Sequence, residues 1–328
     1  MRRLRIFVGR FLAASALAAL AAYVGSAAAQ NYPTRPITLI TGYPAGGGGD
    51  VLARYFADKL RALAGQPVVV ENKPGAQTNL AAEMVAHAKP DGYTLFFTAG
   101  NATFATNPHL FRTIGFDPVK DFTPVTTLFT LPFFAAVSPK SSIASMSELT
   151  AFLRAKGKSG SYAYGNTFSQ ASAELYKRIE RLDTVGVAYR AAPISIPDLL
   201  AGQIDFMFID PTLGLQQASQ GQLRLIAVTT AERSPVAPDI PGMKEAGVPN
   251  FDLSGWFGAW LPANAPQPIV DKLEAWLNQI VVTDETRAFL LKGGCAPFPG
   301  DAKTAAALVR RDLEVWRVLI QDAHIEPQ

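Results

Sequence analysis

Between residues 37 and 228 the chain keeps switching from short apolar runs to segments whose apolar residues recur at helical spacing. This alternation narrows the fold more than any other feature of the sequence. Residues 37–40 read as a strand, and Leu52, Phe56, Leu60 and Leu63 then fall on one helical face. The run PVVVE, 67–71, is the next strand. A helix over about 79–88 follows it, and then a strand over 93–98. This β-α-β-α-β order predicts a parallel sheet covered by helices.

The pattern then repeats. Strands are expected at 133–137, 162–164, 185–189, 204–209 and 223–228. Helices are expected at about 170–181 and around 196–201. Ser145 followed by Glu148 is a capping-box spacing that opens a helix running to about Lys156. The last third reads as helical, over 268–280, 283–291 and 302–323. Two β/α sets with a helical tail predict an α/β protein whose chain builds one lobe, builds a second, and returns to the first. The natural crossings are Leu131-Pro132 and Thr229-Thr230. They divide the chain into 30–131 and 229–328 for the first lobe and 132–228 for the second.

Residues 1–29 stand outside this pattern. Arg2, Arg3, Arg5 and Arg10 precede an Ala/Leu-rich stretch, and Ala27-Ala28-Ala29 offers a small-x-small cleavage site before Gln30. That is the layout of a secretory signal peptide, with cleavage expected after Ala29 and release into the periplasm. The apolar stretch is too short and too Ala-rich to span a membrane comfortably. The full chain has 30 Lys+Arg and 27 Asp+Glu. Subtracting the four leader arginines leaves 26 against 27, a formal net of −1. The apparent basicity therefore belongs to the leader and does not argue for a nucleic-acid partner. Cys295 is the only cysteine, so no internal disulfide forms, and a packed small residue is its expected role.

The residues offer little for catalysis. His87, His109 and His324 are scattered, and no paired-His or C-x-x-C spacing suggests a zinc site. No G-x-S-x-G is present for a serine-hydrolase elbow. No cofactor, metal or catalytic residue is therefore expected.

The stretch GYPAGGGGD, 42–50, joins the first strand to the first helix. It lacks the Lys-Ser/Thr ending of a phosphate-binding P-loop, and with Gly46 and Gly48 as leading glycines the third dinucleotide-fingerprint position is Val51. A dehydrogenase survives only as a minor alternative, on Glu71 at the end of the second strand. A more general use remains. Backbone N–H groups without side chains in the way, at the positive end of a helix, suit a small carboxylate. A bare strand-to-helix turn explains the glycines equally well when they are taken alone. Two further loops shift the balance. Gly165-Asn166-Thr167-Phe168-Ser169-Gln170 also joins a strand to a helix and carries donors. Thr98-Ala99-Gly100-Asn101 ends the third strand. All three lie beyond the carboxyl ends of strands, where open α/β sheets bind ligands. Arg190 follows the strand 185–189 and stands at the same kind of position. Its planar fork suits a second carboxylate, although a solvated surface arginine is an equal reading.

With these segments in hand, the sequence resembles the extracytoplasmic solute receptors of tripartite tricarboxylate transporters, the Bug family. The resembling motifs are YPAGGGGD (43–50), GQPVVVENKPGA (65–76), KPDGYTL (89–95), NPHLF (107–111), DPVKDFTPV (117–125), DLLAGQIDFMF (198–208), LRLIAVTTAERSP (223–235) and Trp256-Phe257-Gly258. The resemblance implies a two-lobed type II periplasmic binding protein fold with a ligand cleft between lobes. It implies a monomeric receptor with no enzymatic activity, which captures a small carboxylate by lobe closure and passes it to membrane transporter subunits. A ligand-dependent partner of a membrane receptor kinase, or a periplasmic enzyme on the same fold, are the alternatives. By the same resemblance the ligand is held by Tyr43, Ala45, Gly46, Gly47 and Gly48, and by Asn166, Thr167 and Ser169. Thr98, Ala99, Asn101 and Asp210 line the cleft. Three departures stand out. Gly49 replaces a residue that more often carries a hydroxyl, the loop at Gly165-Asn166 is short, and Tyr189-Arg190-Ala191-Ala192-Pro193 replaces a Tyr-Lys-Gly-Ser type of run.

Overall fold

The structure is a computed structural model that describes residues 31–322 and 325–327. The leader and His324 lie outside these residues. Among the described residues eleven strands and ten α-helices alternate. The strands are β1 (Ile37–Thr41), β2 (Val68–Asn72), β3 (Thr94–Ala99), β4 (Phe122–Pro132), β5 (Phe134–Val137), β6 (Ser161–Tyr164), β7 (Val185–Ala188), β8 (Phe206–Ile209), β9 (Arg224–Val228), β10 (Ser254–Pro262) and β11 (Ala296–Pro297). The helices are α1 (Gly48–Ala64), α2 (Asn79–Ala86), α3 (Asn107–Leu110), α4 (Met146–Lys156), α5 (Thr167–Glu180), α6 (Ala192–Leu200), α7 (Pro211–Ser219), α8 (Gln267–Val281), α9 (Asp284–Lys292) and α10 (Ala302–Asp322). The strand orders are β11-β4-β10-β3-β1-β2 in one sheet and β7-β6-β8-β5-β9 in the other. Among the described residues no helix is long and apolar enough to cross a membrane.

The chain divides into two compact units. Among the described residues, one holds 31–98 with Lys120–Val125 and Ala259–Ile280, and the other holds Ala99–Val119, Thr126–Gly258 and the described residues from Val281 on. In the first unit β1 pairs in parallel with both β2 and β3, with Thr41 opposite Asn72 on one side and Phe97 on the other. The helix α1 buries Ala53, Phe56, Ala57 and Leu60. This stripe is centred within the expected Leu52–Leu63 face, so those two leucines flank it. Phe56 meets Phe97 at 5.8 Å between ring centroids, which seats α1 on that sheet face. Gly65 ends α1 in a left-handed conformation and its N–H bonds the Arg61 carbonyl, the usual way to close a helix.

The sheet of the second unit is apolar on both faces, which explains why its strands read as runs rather than alternations. Ala135, Val137, Tyr162, Phe206 and Phe208 enter one core cluster. Their neighbours Phe134, Ala136, Ala163, Met207 and Ile209 enter another. Helices on each face supply the cover, among them α4 and α5 on the first and α6 on the second. The sheet is not purely parallel: β6 runs parallel to β7 and β8, whereas β5 is antiparallel to β8 and β9. In the first sheet β11 likewise pairs antiparallel with β4.

The local expectations fare well where a local cause sets them. The Ser145 side chain accepts from the Glu148 N–H at 3.2 Å and caps α4. The return bond differs: Glu148 accepts from the Ala144 N–H, one residue further back. The sequence reading missed β4, β10, β11 and α7.

Candidate functional site

In the first unit the glycine turn bridges β1 and α1. The first helical bond of α1 runs from the Val51 N–H to the Gly47 carbonyl, and Gly47 caps the helix in extended conformation with no side-chain partner. The turn already holds one internal carboxylate. Asp50, almost fully buried, accepts from the Gly46 N–H at 2.8 Å, from Arg54 Nε at 2.9 Å and from Asn72 Nδ2 at 2.7 Å. Asn72 Nδ2 also donates to the Tyr43 carbonyl, and its Oδ1 accepts from Arg54. The Arg54 hydrogen bond, helped by those from Asn72 and Gly46, holds the Asp50 carboxyl down at about 2. Asp50, Arg54 and Asn72 thus pin the turn to helix and sheet.

The four consecutive glycines answer to different causes. Gly46 has φ +79, a left-handed conformation that disfavours side chains. At Gly49 a Cβ would stand 2.4 Å from the Tyr43 ring, which lies against the first turn of α1. That contact leaves no room for a side chain at Gly49 while the Tyr43 ring stays in place. Gly47 is only mildly crowded, its Cβ position lying 3.2 Å from the Pro44 carbonyl, and its N–H donates to that same carbonyl. Gly48 has nothing within 4 Å and needs no special backbone. The protein's own packing therefore gives no reason for Gly48 to lack a side chain. The N–H groups of Gly48 and Gly49 precede the first helical bond and meet no acceptor among the described residues.

Around this turn stand residues that the sequence reading did not single out. The Ala76-Gln77-Thr78 segment is left-handed throughout, with φ of 43°, 50° and 77°. Such a conformation is costly for a β-branched residue like Thr78. Its side chain packs on the start of the turn, since a Cβ on Gly42 would lie 2.6 Å from Thr78 Cβ. Thr98 is fully buried at the end of β3, one residue past the Thr41–Phe97 register pair.

In the second unit, β7, β6 and β8 are adjacent and parallel, so the loops after them share one sheet end. Each loop opens a helix. Asn166 caps α5: its Oδ1 accepts from the Ser169 N–H at 2.8 Å, and the Ser169 hydroxyl accepts from the Gly165 and Asn166 N–H groups at 3.3 Å. Ser169 is buried and also donates to the Asn166 carbonyl, so its hydroxyl is engaged within the loop. The Asn166 amide group keeps its N–H donors without a partner among the described residues. Gly165 lies on the entry to α6, where a Cβ would come within 2.3 Å of the Ala192 nitrogen. Asp210 caps α7, accepting from the Leu213 N–H at 3.0 Å. Tyr189 donates to Asp198 at 2.6 Å, and that bond pushes its phenol up to about 12. Arg190 is exposed and has no hydrogen-bond or ion-pair partner among the described residues.

Thr167, Asn166, Arg190 and Asp210 therefore gather at one end of one sheet, and Tyr43, Ala45 and the glycines gather at the end of the other. Ala99 and Asn101 sit where β3 passes into a π-helical turn. There Asn101 is buried and its Oδ1 accepts from the Trp256 N–H at 3.2 Å, while a Cβ on Gly100 would strike the Trp256 ring. Trp256 is fixed in turn by its Nε1–H to Asp312 at 2.8 Å. Asn101 thus has a structural partner on the side chain that the sequence assigns to ligand.

The remaining reactive side chains have local explanations. Burial pushes the Cys295 thiol up to about 12, leaving almost no thiolate at neutral pH. His109 Nε2 contacts the Leu313 carbonyl and His87 Nδ1 the Glu83 carbonyl. Among the described residues no group of His, Cys, Asp and Glu could hold a metal ion.

Known proteins align with this architecture along nearly its whole length. The family profile "Tripartite tricarboxylate transporter family receptor" matches residues 52–325. A UPF0065 protein of Bordetella bronchiseptica is 32% identical over 309 residues, 94% of this chain and 91% of that one. The structure of R. palustris Rpa4515 with adipate superposes with a TM-score of 0.73 at 29% identity, over 90% of this chain and 100% of that one. MatC from Rhodopseudomonas palustris with bound malate gives 0.68 at 29% identity, over 88% and 100%.

Proposed function

This chain belongs to the tripartite tricarboxylate transporter receptor family, and we propose that it captures a small carboxylate in the periplasm and delivers it to a tripartite transporter. The observation that carries the proposal is Gly48. Its missing side chain serves no packing need, and with Gly49 it presents N–H groups without acceptors at the positive end of a helix of 17 residues. An incoming carboxylate satisfies those donors and the helix dipole together. The similar proteins seen with adipate and malate support an acid of this size. In this reading Gly46 shapes the turn and its N–H belongs to Asp50, so Gly48 and Gly49 are the donors. The reading keeps Thr98, buried near the end of β3, as a further ligand residue.

The reading gives the second sheet the distal end of the ligand. Asn166, Thr167 and Arg190 supply donors there, and Asp210 would favour a ligand hydroxyl or amine over a second acid. In this reading the second lobe is 132–228, which contains the whole of that sheet. On the same reading the acid is bound and handed on unchanged, with no covalent chemistry.

Gly48→Val tests the proposal. The site tolerates a side chain, so the variant should fold with an unchanged melting temperature. Calorimetry against a panel of mono-, di- and tricarboxylates should show binding by the wild type and none by the variant. A folded variant that binds as tightly as wild type returns the glycines to a purely structural turn.

A further inference from the structure

Two buried side-chain oxygens have no hydrogen-bond partner among the described residues, the hydroxyls of Thr41 and Thr184. A buried hydroxyl without a partner is costly, and such groups are few in folded proteins. Thr184 precedes β7, at the end of that strand away from the candidate loops, and its methyl packs on Gly160. Thr41 is placed differently. It is the last residue of β1, directly before the glycine turn, and it is fully buried.

The strand register fixes where its side chain goes. Partners in a parallel ladder project to the same face, so Thr41 shares a face with Asn72 and Phe97. Asn72 bonds Asp50 and Arg54 of α1, and Phe97 meets Phe56 of α1. That face is therefore the one covered by α1, and the end of β1 lies beneath the helix's first turn. The hydroxyl has no competing duty there. Both Asp50 oxygens are engaged by other donors, and the Thr41 backbone carbonyl is taken by the Lys73 N–H at 2.8 Å.

The geometry points to Thr41 as a further ligand-binding residue, its hydroxyl completing with the Gly48 and Gly49 N–H groups a donor set for one carboxylate of the captured acid. This assignment rests on the carboxylate reading of the turn. An oxygen of the acid, or one water carried with it, accepts the Thr41 proton and satisfies the otherwise orphaned group. A hydroxyl is the fitting donor at this position because a charged one would duplicate the cation already paired to Asp50. The contact concerns the carboxylate common to every acid in the class, so it adds affinity without choosing among chain lengths.

Thr41→Val removes the hydroxyl at almost constant volume, and Thr41→Ser keeps it. Both are compared with wild type by calorimetry against the acid that gives the largest melting shift in a panel of mono-, di- and tricarboxylates, and by melting without ligand. Thr41→Val is expected to bind about tenfold more weakly or worse, since a bond to a charged group is lost. Its ligand-free melting temperature should be unchanged or raised. Thr41→Ser should bind within about threefold of wild type. Unchanged affinity in Thr41→Val overturns the assignment, whichever way its melting temperature moves. An affinity loss shared by Thr41→Ser overturns it too, because the hydroxyl would then not be the cause. If no acid in the panel shifts the wild type, the carboxylate reading itself falls and this assignment falls with it. If Gly48→Val abolishes binding and Thr41→Val does not, only the assignment falls.

Discussion

Replacing Asp50 by Asn isolates the charge that holds the glycine turn. The side chain keeps its shape and one acceptor oxygen. It loses its charge and sets an NH2 group against donors that now meet a carboxylate: the Gly46 N–H, Arg54 Nε and Asn72 Nδ2. The depression from 3.8 to about 2 corresponds to about 2.5 kcal/mol at about 1.4 kcal/mol per unit. Arg54 is half exposed, so its part is screened, and a net loss of about 1–2 kcal/mol at pH 7 is the expected size. The sign of the pH effect follows from the direction of the shift. The folded value is depressed, so the stabilisation is present above pH 4 and lost as pH falls toward 2. The gap between wild type and Asp50→Asn should be constant from pH 7 to about 5 and narrow by up to about 1 kcal/mol at pH 3. Urea unfolding at a series of pH values measures both numbers. Parallel stability curves down to pH 3 would refute the argument, because they would mean that Asp50 titrates alike in the folded and unfolded chains.

The fold was legible where its causes are local. Strand and helix periodicity located β1, α1, β2, α2 and β3 and most of the second sheet, because apolar spacing reports directly which face is buried. The strands β4 and β10 escaped for physical reasons. In β4 the sequence FTPVTTLFTLP contains a proline and buried threonines, which read as a loop. Those threonines are satisfied far along the chain: Thr127 donates to the Phe298 carbonyl at 2.7 Å and Thr126 to the Gly300 carbonyl at 2.9 Å. No local pattern announces a partner about 170 residues away. In β10, SGWFGAWLP, two glycines interrupt the apolar run.

The same division applies to the candidate site. The glycine turn and the loop at Asn166 stand out in the sequence because turn chemistry is local, whereas the cap at Asp210 went unread together with the helix α7 that it opens. The Asp50–Arg54 pair has the i,i+4 spacing of a helical ion pair, but the sequence reading did not single Arg54 out. Asn72, which joins that pair to the sheet, depends on the β1–β2 register. Thr41 was lost by ending the first strand at its last apolar residue. The ladder continues one residue further, and that residue carries the unpartnered hydroxyl. The Ala76-Gln77-Thr78 turn shows the limit most plainly, since nothing in those residue types foretells three consecutive left-handed conformations.

Three further outcomes follow from the structure. Arg181 ends α5 at φ 53° with an exposed side chain, so Arg181→Gly should stabilise the protein by about 0.5–1 kcal/mol and raise its melting temperature; a lower melting temperature would contradict the left-handed assignment. Cys295 should resist iodoacetamide at pH 8 in the folded protein and react once unfolded, as mass spectrometry reads directly; fast native alkylation would mean that it is neither buried nor protonated. The third concerns Arg190, a cation at the carboxyl end of β7 with no partner among the described residues. If it grips a second, distal acid group, Arg190→Ala should cost about 2–4 kcal/mol in binding a dicarboxylate and much less for a monocarboxylate. The difference between the two losses is the informative quantity, because a general weakening of the site lowers both alike. Calorimetry with one acid of each kind gives it. Equal losses would show that Arg190 does not read the distal group, and no loss for either would make it a solvated surface residue.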